Sequence, residues 1–505
     1  MSSSDDAAER RGVANAGRIR VRHGRETTAP SRCSVLMVTV AWGDWHVDAH
    51  LRANLPSLLA DGNLPGFVER HDLRYVVYTA EEDIDRLRND PAMQRVARLM
   101  RVEMRLVPKE DKANPIATHH RLWAAAAAEA RAAGGFVLYM PPDVAWSDGS
   151  FMHLADLLNQ GFSAIFMTYL RVVCETFVPA LRERVAADGT TIAIEARDLV
   201  RLSLSHLHPL MAAHARRSRY FPVHPEMILW PVRNEGVCVR VLAREMFLFD
   251  PGDLTTNRAR LAAGTPDASR IAVIDDSDAL YAISLAPLGK DVAWHTTPRR
   301  ADPIDVANWW LSYESQANDL IAGTGIAWHQ APKSPDRWRR VEVASGLWVE
   351  RVRGLREALR AWRHLTQHGN HTPAMLLAAA IYNGVLMRIA GRKPGAAIIL
   401  VPVEASFQAL PLDWVERAAD PGVLARLIGR HVVLDVAASP RPLHERLGDA
   451  PAIELTVADG APITLRRAAE GLRIGDALIT SAPQPVGGHI AYDVDGLVDR
   501  RLREP

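Results

Sequence analysis

Carboxylates that follow apolar segments are the side chains in this sequence whose types and spacing best suit chemistry. Asp143 follows the apolar run 136–140 after two prolines. A second group follows the strand-like run 270–274 (RIAVI) and consists of Asp275, Asp276 and Asp278. Carboxylate oxygens bind hard divalent cations, and crowding of carboxylates raises the pKa of one member toward that of a general base. Asp143 is therefore a candidate metal ligand, and the second group is a candidate general base.

The element that precedes Asp143 is predicted to be a buried strand. Residues 136–140 (FVLYM) are apolar without alternation, which is typical of a strand covered on both faces in a parallel sheet. Pro141 and Pro142 have no N–H to donate, so we expect the strand to end before them. Open α/β sheets bind ligands outside the carboxyl ends of their strands, where Asp143 would lie. The alternative is that Asp143 only caps a turn.

A long helix is predicted before this strand. Asn114 and Pro115 are typical of an N-cap and a first helical position, and the alanine-rich segment that follows contains no helix breaker. The helix and the strand would run in opposite directions, which places the helix N-terminus and the strand's carboxyl end at one edge. His119 and His120 would then face the same cleft as Asp143, where a helix N-terminus favours a phosphate. The alternative is that both histidines are only solvated.

Three further strand-like runs alternate with helical segments and occupy residues 34–41, 73–79 and 102–107. This order predicts a doubly wound α/β fold with a mainly parallel sheet. Four side chains at the ends of the first two runs would then border a nucleobase and a ribose: Trp42, Asp44, Thr79 and Glu81. An indole ring stacks on a base, and a carboxylate accepts hydrogen bonds from ribose hydroxyls.

The acidic group after residue 274 has a second interpretation. A helix is predicted over 279–285, so the three carboxylates are equally well explained as its N-cap. After this helix, a short strand over 292–294 would lead to His295.

Four regions are predicted along the chain: a disordered tail (1–31), an α/β domain (32–300), a wrapping segment or linker (301–345) and a smaller α+β domain (346–505). The boundary near 345 is placed where the turn chemistry and the hydrophobic alternation change. The last domain should contain two helices, over 347–365 and 375–389. Its strand-like runs occupy 396–403, 453–457 and 472–474.

Composition excludes several classes of protein. Among 505 residues, 60 are basic and 59 acidic, which gives no support to nucleic-acid binding through net charge. No run reaches the roughly 18 continuous apolar residues of a membrane helix. The polar N-terminus has no apolar core typical of a signal peptide. Three cysteines without metal or disulfide spacing favour a reducing, cytoplasmic location.

The run from Ser34 to about Thr297 resembles a nucleotide-diphosphate-sugar glycosyltransferase of the GT-A fold. The layout of strands and helices up to the segment VLYMPPDVAWSDGSF carries this resemblance. In that family a strand ends in Asp-x-Asp, and the matching tripeptide here is Pro141-Pro142-Asp143. The resemblance implies a GT-A-like doubly wound sheet and transfer of a sugar from a nucleotide-diphosphate donor to an acceptor, whose identity is open.

The same resemblance implies roles for individual residues. Asp143 would be the ligand of the metal and of the donor diphosphate, with Mn²⁺ or Mg²⁺ as the cation. His295 is similar to the late histidine that completes the metal site in some members. The acceptor-side catalytic acids of inverting members are matched by Asp275, Asp276 and Asp278.

The stretch from about 365 to 505 resembles a fasciclin domain. Three segments carry this resemblance: IILVPVEASFQALPLDW (398–414), LARLIGRHVV (424–433) and LRIGDALITSAPQPVGGHIAYDVDGLVDRRL (472–502). Fasciclin domains are mostly adhesion or binding modules, so the resemblance implies a protein partner. The alternative to an enzyme is therefore a non-catalytic GT-A-like scaffold whose fasciclin-like domain binds that partner.

Overall fold

The computed structural model describes residues 32–108, 114–243, 246–253, 256–257, 260–261, 268–289, 295–298, 303–313, 315–367, 397–403, 429–434, 441–458, 460–486 and 489–499. Contacts divide the chain into two units. The first unit is formed by the described parts of Met1–Ala301 and Tyr313–Gly346, and the second by the described parts of Asp302–Ser312 and Leu347–Pro505. The division after Gly346 and the predicted boundary near 345 both fall within the helix Pro335–Gln367.

The helices of the described residues are α1 (Asp44–Ala49), α2 (Leu55–Leu58), α3 (Leu64–Arg70), α4 (Ile84–Asn89), α5 (Pro91–Leu99), α6 (Pro115–Ala132), α7 (Ser150–Asn159), α8 (Cys174–Arg182), α9 (Ala196–Ser205), α10 (Pro209–Ala213), α11 (Pro303–Trp310), α12 (Gln316–Gly323), α13 (Pro335–Gln367) and α14 (Leu443–Leu447). A π-helical turn, His50–Asn54, joins α1 to α2. Within the described ranges, no helix is both long and apolar enough to cross a membrane.

The strands of the first unit are β1 (Ser34–Val40), β2 (Asp72–Thr79), β3 (Arg101–Leu106), β4 (Phe136–Tyr139), β5 (Val144–Trp146), β6 (Ala164–Phe166), β7 (Leu170–Val173), β8 (Phe221–Pro222), β9 (Met227–Val232), β10 (Gly236–Val241), β11 (Leu248–Phe249), β12 (Thr256–Asn257), β13 (Arg260–Leu261), β14 (Ile271–Val273), β15 (Ala282–Ala286), β16 (Thr296–Thr297) and β17 (Ile326–His329). The strands of the second unit are β18 (Ala397–Pro402), β19 (Val432–Leu434), β20 (Ala452–Thr456), β21 (Pro462–Ala468), β22 (Gly471–Ile474), β23 (Ala477–Leu478), β24 (Gln484–Val486) and β25 (His489–Val494).

A seven-stranded sheet forms the centre of the first unit, with strand order β14-β6-β11-β4-β1-β2-β3. Strand β1 pairs in parallel with β2 and β4, β2 pairs in parallel with β3, and β14 pairs in parallel with β6. Only β11 runs antiparallel, to β4 on one side and β6 on the other. The predicted mixed α/β class with a mainly parallel sheet is therefore confirmed.

Strand β1, near the middle of the central sheet, is buried on both faces, as its unalternated apolar sequence predicts. Along β1, Val35 and Met37 belong to one hydrophobic core, while Leu36 and Val38 belong to the core on the opposite face. Successive side chains of a strand point to opposite faces, so both faces need apolar residues. Fully burying a side chain of this size contributes roughly 1.5–3 kcal/mol.

The prediction of a helix over 279–285 is wrong. Residues 277–279 form a turn, and Ala282–Ala286 forms β15, which lies between β5 and β7. A short apolar run does not distinguish a buried strand from a helix by periodicity, and here the pairing with two distant strands decides. The predicted strand over 292–294 and the predicted tail 1–31 lie outside the described residues.

The segment 313–346 belongs to the first unit. It contains α12, β17 and the beginning of α13, and β17 pairs antiparallel with β10. This pairing brings residues of the predicted linker into the sheet structure of the first unit.

The second unit contains two four-stranded sheets, ordered β19-β18-β25-β24 and β20-β21-β22-β23. Its core includes Ile398, Leu400, Leu465 and Tyr492. The strand-like runs predicted at 396–403, 453–457 and 472–474 correspond to β18, β20 and β22. The predicted helix over 375–389, residues 404–414 of the segment 398–414 and residues 424–428 of the segment 424–433 lie outside the described residues.

Candidate functional site

The parallel strands place several chain segments at one edge of the central sheet. The chain passes from β1 outward to β2 and β3, and then returns to add β4 on the other side of β1. Such a reversal of strand order opens a crevice outside the carboxyl ends of the two central strands, where open α/β sheets bind ligands. Trp42 follows β1 and Asp143 follows β4, so both residues border this crevice.

Asp143 is half-buried between β4 and β5 and is tied to β15. Its Oδ2 accepts a hydrogen bond of 2.8 Å from the Ser284 hydroxyl, and its carbonyl oxygen accepts one of 2.7 Å from the Leu285 N–H. Burial raises the pKa of Asp143, while the Ser284 hydrogen bond and the positive charges of His46 and Arg171 oppose that rise. The carboxylate is thus held among groups that suit an anionic ligand.

The loop that carries Asp143 is held by Asn54, which sequence reasoning missed. The Asn54 side-chain amide donates hydrogen bonds to the carbonyl oxygens of Val144, at 2.6 Å, and of Pro141, at 3.3 Å. Asn54 is fully buried at the end of the π-helical turn. The sequence carries no specific signal for Asn54, because other polar residues, such as His50 and Arg52, occur in the same helical segment.

The residues predicted to border a nucleoside differ in their exposure. Trp42 is half-buried, while Asp44 and Glu81 are exposed. Thr79 is fully buried, so its side chain is not accessible to a ligand. The acid that joins the two loops is instead Asp83, which is buried and accepts a hydrogen bond of 2.7 Å from the Gly43 N–H.

The predicted helix start at Asn114 is confirmed, since its side chain accepts a hydrogen bond of 3.2 Å from the Ala117 N–H. His119 and His120 are half-buried near this end of α6. The His119 ring contacts Trp123 edge-on, with 4.2 Å between the ring centroids. Trp123 stacks in parallel on Tyr139 of β4, also with 4.2 Å between centroids. This aromatic column attaches the helix to the strand that leads to Asp143.

The acidic group 275–278 follows β14, the edge strand of the same sheet. Strands β14 and β4 are three positions apart, or about 14 Å at a spacing of about 4.8 Å. The loop is fixed to β17: the Ser277 N–H donates to the Ala327 carbonyl at 2.9 Å, and the Ala327 N–H donates to the Asp275 carbonyl at 2.7 Å. Since no helix begins at 279, the N-cap interpretation is wrong.

Two of these carboxylates and His329 form a group that could hold a metal ion. One oxygen each of Asp276 and Asp278 and a ring nitrogen of His329 lie within 4.8 Å of one another. His329 Nε2 is 2.8 Å from Asp276 Oδ1 and 3.6 Å from Asp278 Oδ1. His329 is 1% exposed, Asp276 is half-buried and Asp278 is exposed. The acidic residues predicted to be functional at this strand end are thus joined by a histidine from a distant part of the chain.

Two basic side chains contact the same carboxylates. Lys333 forms an ion pair with Asp276, and Arg197 donates to both oxygens of Asp278, with its shortest contact at 2.6 Å. Burial favours a higher pKa for Asp276, but hydrogen bonds from His329 and Lys333 outweigh it and hold that pKa well below its usual range. Partial burial and the charge of Asp276 raise the pKa of Asp275. Asp275, unlike Asp276, is thus shifted in the direction that a base needs.

The residues predicted as metal ligands are not grouped in this way. His295 is exposed beside β16, where its carbonyl oxygen accepts a hydrogen bond of 2.9 Å from the Val223 N–H. Over the described ranges, neither His295 nor Asp143 belongs to a group of three potential ligands, and the group found is Asp276, Asp278 and His329. A histidine directly after the short apolar run 326–328 was the available sequence signal for His329.

Comparison with known proteins identifies no family, since no family model and no curated protein matches this chain.

Proposed function

We propose that the first unit transfers a sugar from a nucleotide-diphosphate donor to an acceptor hydroxyl. The observation that carries this proposal is the position of Asp143, half-buried at the carboxyl end of β4, where the strand order reverses. A crevice at that position is the general binding place for nucleotides in open α/β sheets.

The charges around Asp143 support an anionic ligand. Arg171 is paired with Ser284 across β7 and β15, and the Ser284 hydroxyl donates to Asp143, so a cationic residue lies near this carboxylate. In the proposed arrangement, Arg171 neutralises the diphosphate and stabilises the charge that develops as the leaving group departs. Trp42 stacks on the base, and Asp143 orients the donor, directly or through a cation.

The cation of the proposed reaction is Mn²⁺ or Mg²⁺, which recruit substrate phosphates while keeping water ligands.

The second unit is proposed to bind a protein partner through its fasciclin-like sheets. The proposed location is the cytoplasm, for which the free thiols of Cys174 and Cys238 are the supporting observation.

Nucleotide binding is tested by thermal shift of the full chain with nucleoside diphosphates, each with and without Mn²⁺. A ligand that binds only the folded protein stabilises it by about 2.7 kcal/mol at 100 times its Kd, so one of them should raise the melting temperature. Asp143→Asn should remove this rise, whereas Asp156→Asn, at an exposed ion pair with Arg70, should retain it.

The variant Arg171→Met distinguishes the contribution of the diphosphate to binding from that of the nucleoside. It should weaken binding of the nucleoside diphosphate but leave binding of the corresponding nucleoside unchanged. Absence of any shift in the wild type, or an equal shift in Asp143→Asn, would instead favour the non-catalytic scaffold. The observation that supports the scaffold is that Asp143 belongs to no group of three potential metal ligands among the described residues.

A further inference from the structure

We infer that Asp276, Asp278 and His329 form a binding site for a divalent transition-metal ion, separate from the crevice at Asp143. This site does not depend on the proposed sugar transfer, and it differs in position and in ligands from the site expected from the sequence. The inference follows from the orientation of His329, from the arrangement of the carboxylate oxygens and from the chemistry of the three donors.

The hydrogen bonds of His329 determine which ring nitrogen is available to a metal. Nδ1 lies 3.0 Å from the carbonyl oxygen of Ala331, which can only accept, so Nδ1 carries a proton. The backbone N–H of His329 donates to the Ser277 hydroxyl at 3.0 Å. The ring is therefore fixed with Nε2 directed at the two carboxylates. Metal-binding histidines characteristically donate their other N–H to a carbonyl or carboxylate in this way.

Two carboxylate oxygens face Nε2 of His329. This nitrogen lies 2.8 Å from Asp276 Oδ1 and 3.6 Å from Asp278 Oδ1, and without a metal it donates to Asp276. A proton on Nε2 satisfies the shorter contact alone. A metal about 2.1 Å from each ligand separates neighbouring ligand atoms by about 3.0 to 3.4 Å, close to both observed distances. A metal ion therefore accounts for the convergence of all three residues.

Both carboxylates are already engaged by basic side chains, which orient them. Lys333 contacts Oδ2 of Asp276, while Arg197 donates to Oδ2 of Asp278 at 2.6 Å and, through Nε, to Oδ1 at 3.0 Å. Oδ1 of Asp276 is held further by the backbone N–H of Asp278 at 2.9 Å. Ligating carboxylates are themselves commonly hydrogen-bonded, and such second partners tune metal affinity. Lys333 should oppose metal binding, because it places a positive charge beside the same carboxylate.

The donor set selects the kind of metal. Imidazole nitrogen suits transition metals, whereas Mg²⁺ and Ca²⁺ prefer oxygen ligands alone. One imidazole with two carboxylates fits Mn²⁺, Fe²⁺ or Zn²⁺, and water completes the coordination from the side of the exposed Asp278.

The test uses Mn²⁺ as a paramagnetic probe of the full chain, in the absence of any nucleotide. Titration followed by electron paramagnetic resonance gives the affinity, and pulsed measurements detect coupling to a histidine nitrogen. We expect one site with nitrogen coupling, at least tenfold weaker binding in Asp278→Asn, and loss of the coupling in His329→Gln. Zn²⁺ should displace Mn²⁺, whereas Mg²⁺ should not.

Two variants separate metal binding from simple ion pairing. Lys333→Met removes an ion pair but should tighten Mn²⁺ binding by about tenfold, because a positive charge near the metal is lost. Asp85→Asn, at a largely exposed ion pair with Arg88, should leave binding unchanged. Circular dichroism confirms that each variant is folded. Absence of Mn²⁺ and Zn²⁺ binding in the folded wild type, nitrogen coupling that persists in His329→Gln, or weaker binding in Lys333→Met would overturn the inference.

Discussion

His329 Nε2 lies 2.8 Å from Asp276 Oδ1, although 53 positions of sequence separate the two residues. Two backbone interactions produce this contact. Strand β17 pairs with β10 along the register that ends with Gly236 opposite His329, and Ala327 bridges to Asp276. The candidate metal site therefore depends on the position of β17.

The first prediction concerns Gly236, which has φ of 150°. A Cβ at this position would lie 2.0 Å from the Trp328 carbonyl oxygen. Gly236→Ala should force β17 away from β10, lower the free energy of unfolding by about 2 kcal/mol or more, and weaken Mn²⁺ binding through displacement of His329. Denaturant unfolding and the Mn²⁺ titration measure the two effects.

Gly161→Ala is the matched control, because Gly161 also has a positive φ, of 83°, but a Cβ there meets no atom within 4 Å. It should cost about 1 kcal/mol from backbone strain alone and leave Mn²⁺ affinity unchanged. Equal effects of the two substitutions on Mn²⁺ affinity would contradict the role assigned to β17.

The second prediction concerns Asn54. Asn54→Ala leaves the carbonyl oxygens of Pro141 and Val144 without their buried donor, so the free energy of unfolding should fall by about 1–3 kcal/mol. The loop that carries Asp143 would also lose its support, and any nucleotide-induced thermal shift should decrease. Arg52→Ala, at an exposed position of the same turn, should change stability by less than about 0.5 kcal/mol. A nucleotide shift of wild-type size in Asn54→Ala would show that the loop does not need this support.

The third prediction concerns the pH dependence of stability through His50. Burial lowers the pKa of His50 to about 3, against a side-chain hydrogen bond to Asn54 that raises it. Because the unfolded chain binds this proton more readily than the folded protein, stability should fall as pH decreases from about 6.5 toward 3. The contribution of one such group is about 1.4 kcal/mol per pH unit.

Comparison with His50→Gln isolates that contribution, since other histidines titrate in the same range. The free energy of unfolding of each protein is measured by denaturant titration from pH 6.5 to 4.5. As the pH falls, the wild type should lose about 1.4 kcal/mol per pH unit relative to the variant. A difference independent of pH would mean that His50 is not buried as a neutral ring.

The fourth prediction concerns the aromatic contact between α6 and the sheet. Trp123 stacks on Tyr139 with an interplanar angle of 5°. Trp123→Ala removes this pair and the area it buries, so the free energy of unfolding should fall by about 2 kcal/mol. Ile116→Ala, at a side chain of the same helix that is 61% exposed, is the control and should have little effect. Similar losses in both variants, measured by denaturant unfolding, would argue against the stacking contribution.

Local pattern in the sequence was enough to predict much of the first unit. Unalternated apolar runs predicted strands buried on both faces, and Asn114 with Pro115 predicted the start of α6. The place of Asp143 at the carboxyl edge followed from the same reasoning. These features depend on interactions between residues close in sequence, or on the general rule that a parallel sheet is covered on both faces.

Only the tertiary structure decided which side chains meet. The run 282–286 is a strand because β5 and β7 flank it, and Asp83, not Glu81, is the acid that binds the loop after β1. His329 reaches Asp276 through strand pairing across 53 positions. Such contacts are set by register and strand order, which depend on packing of the whole unit and leave no periodic pattern near either residue.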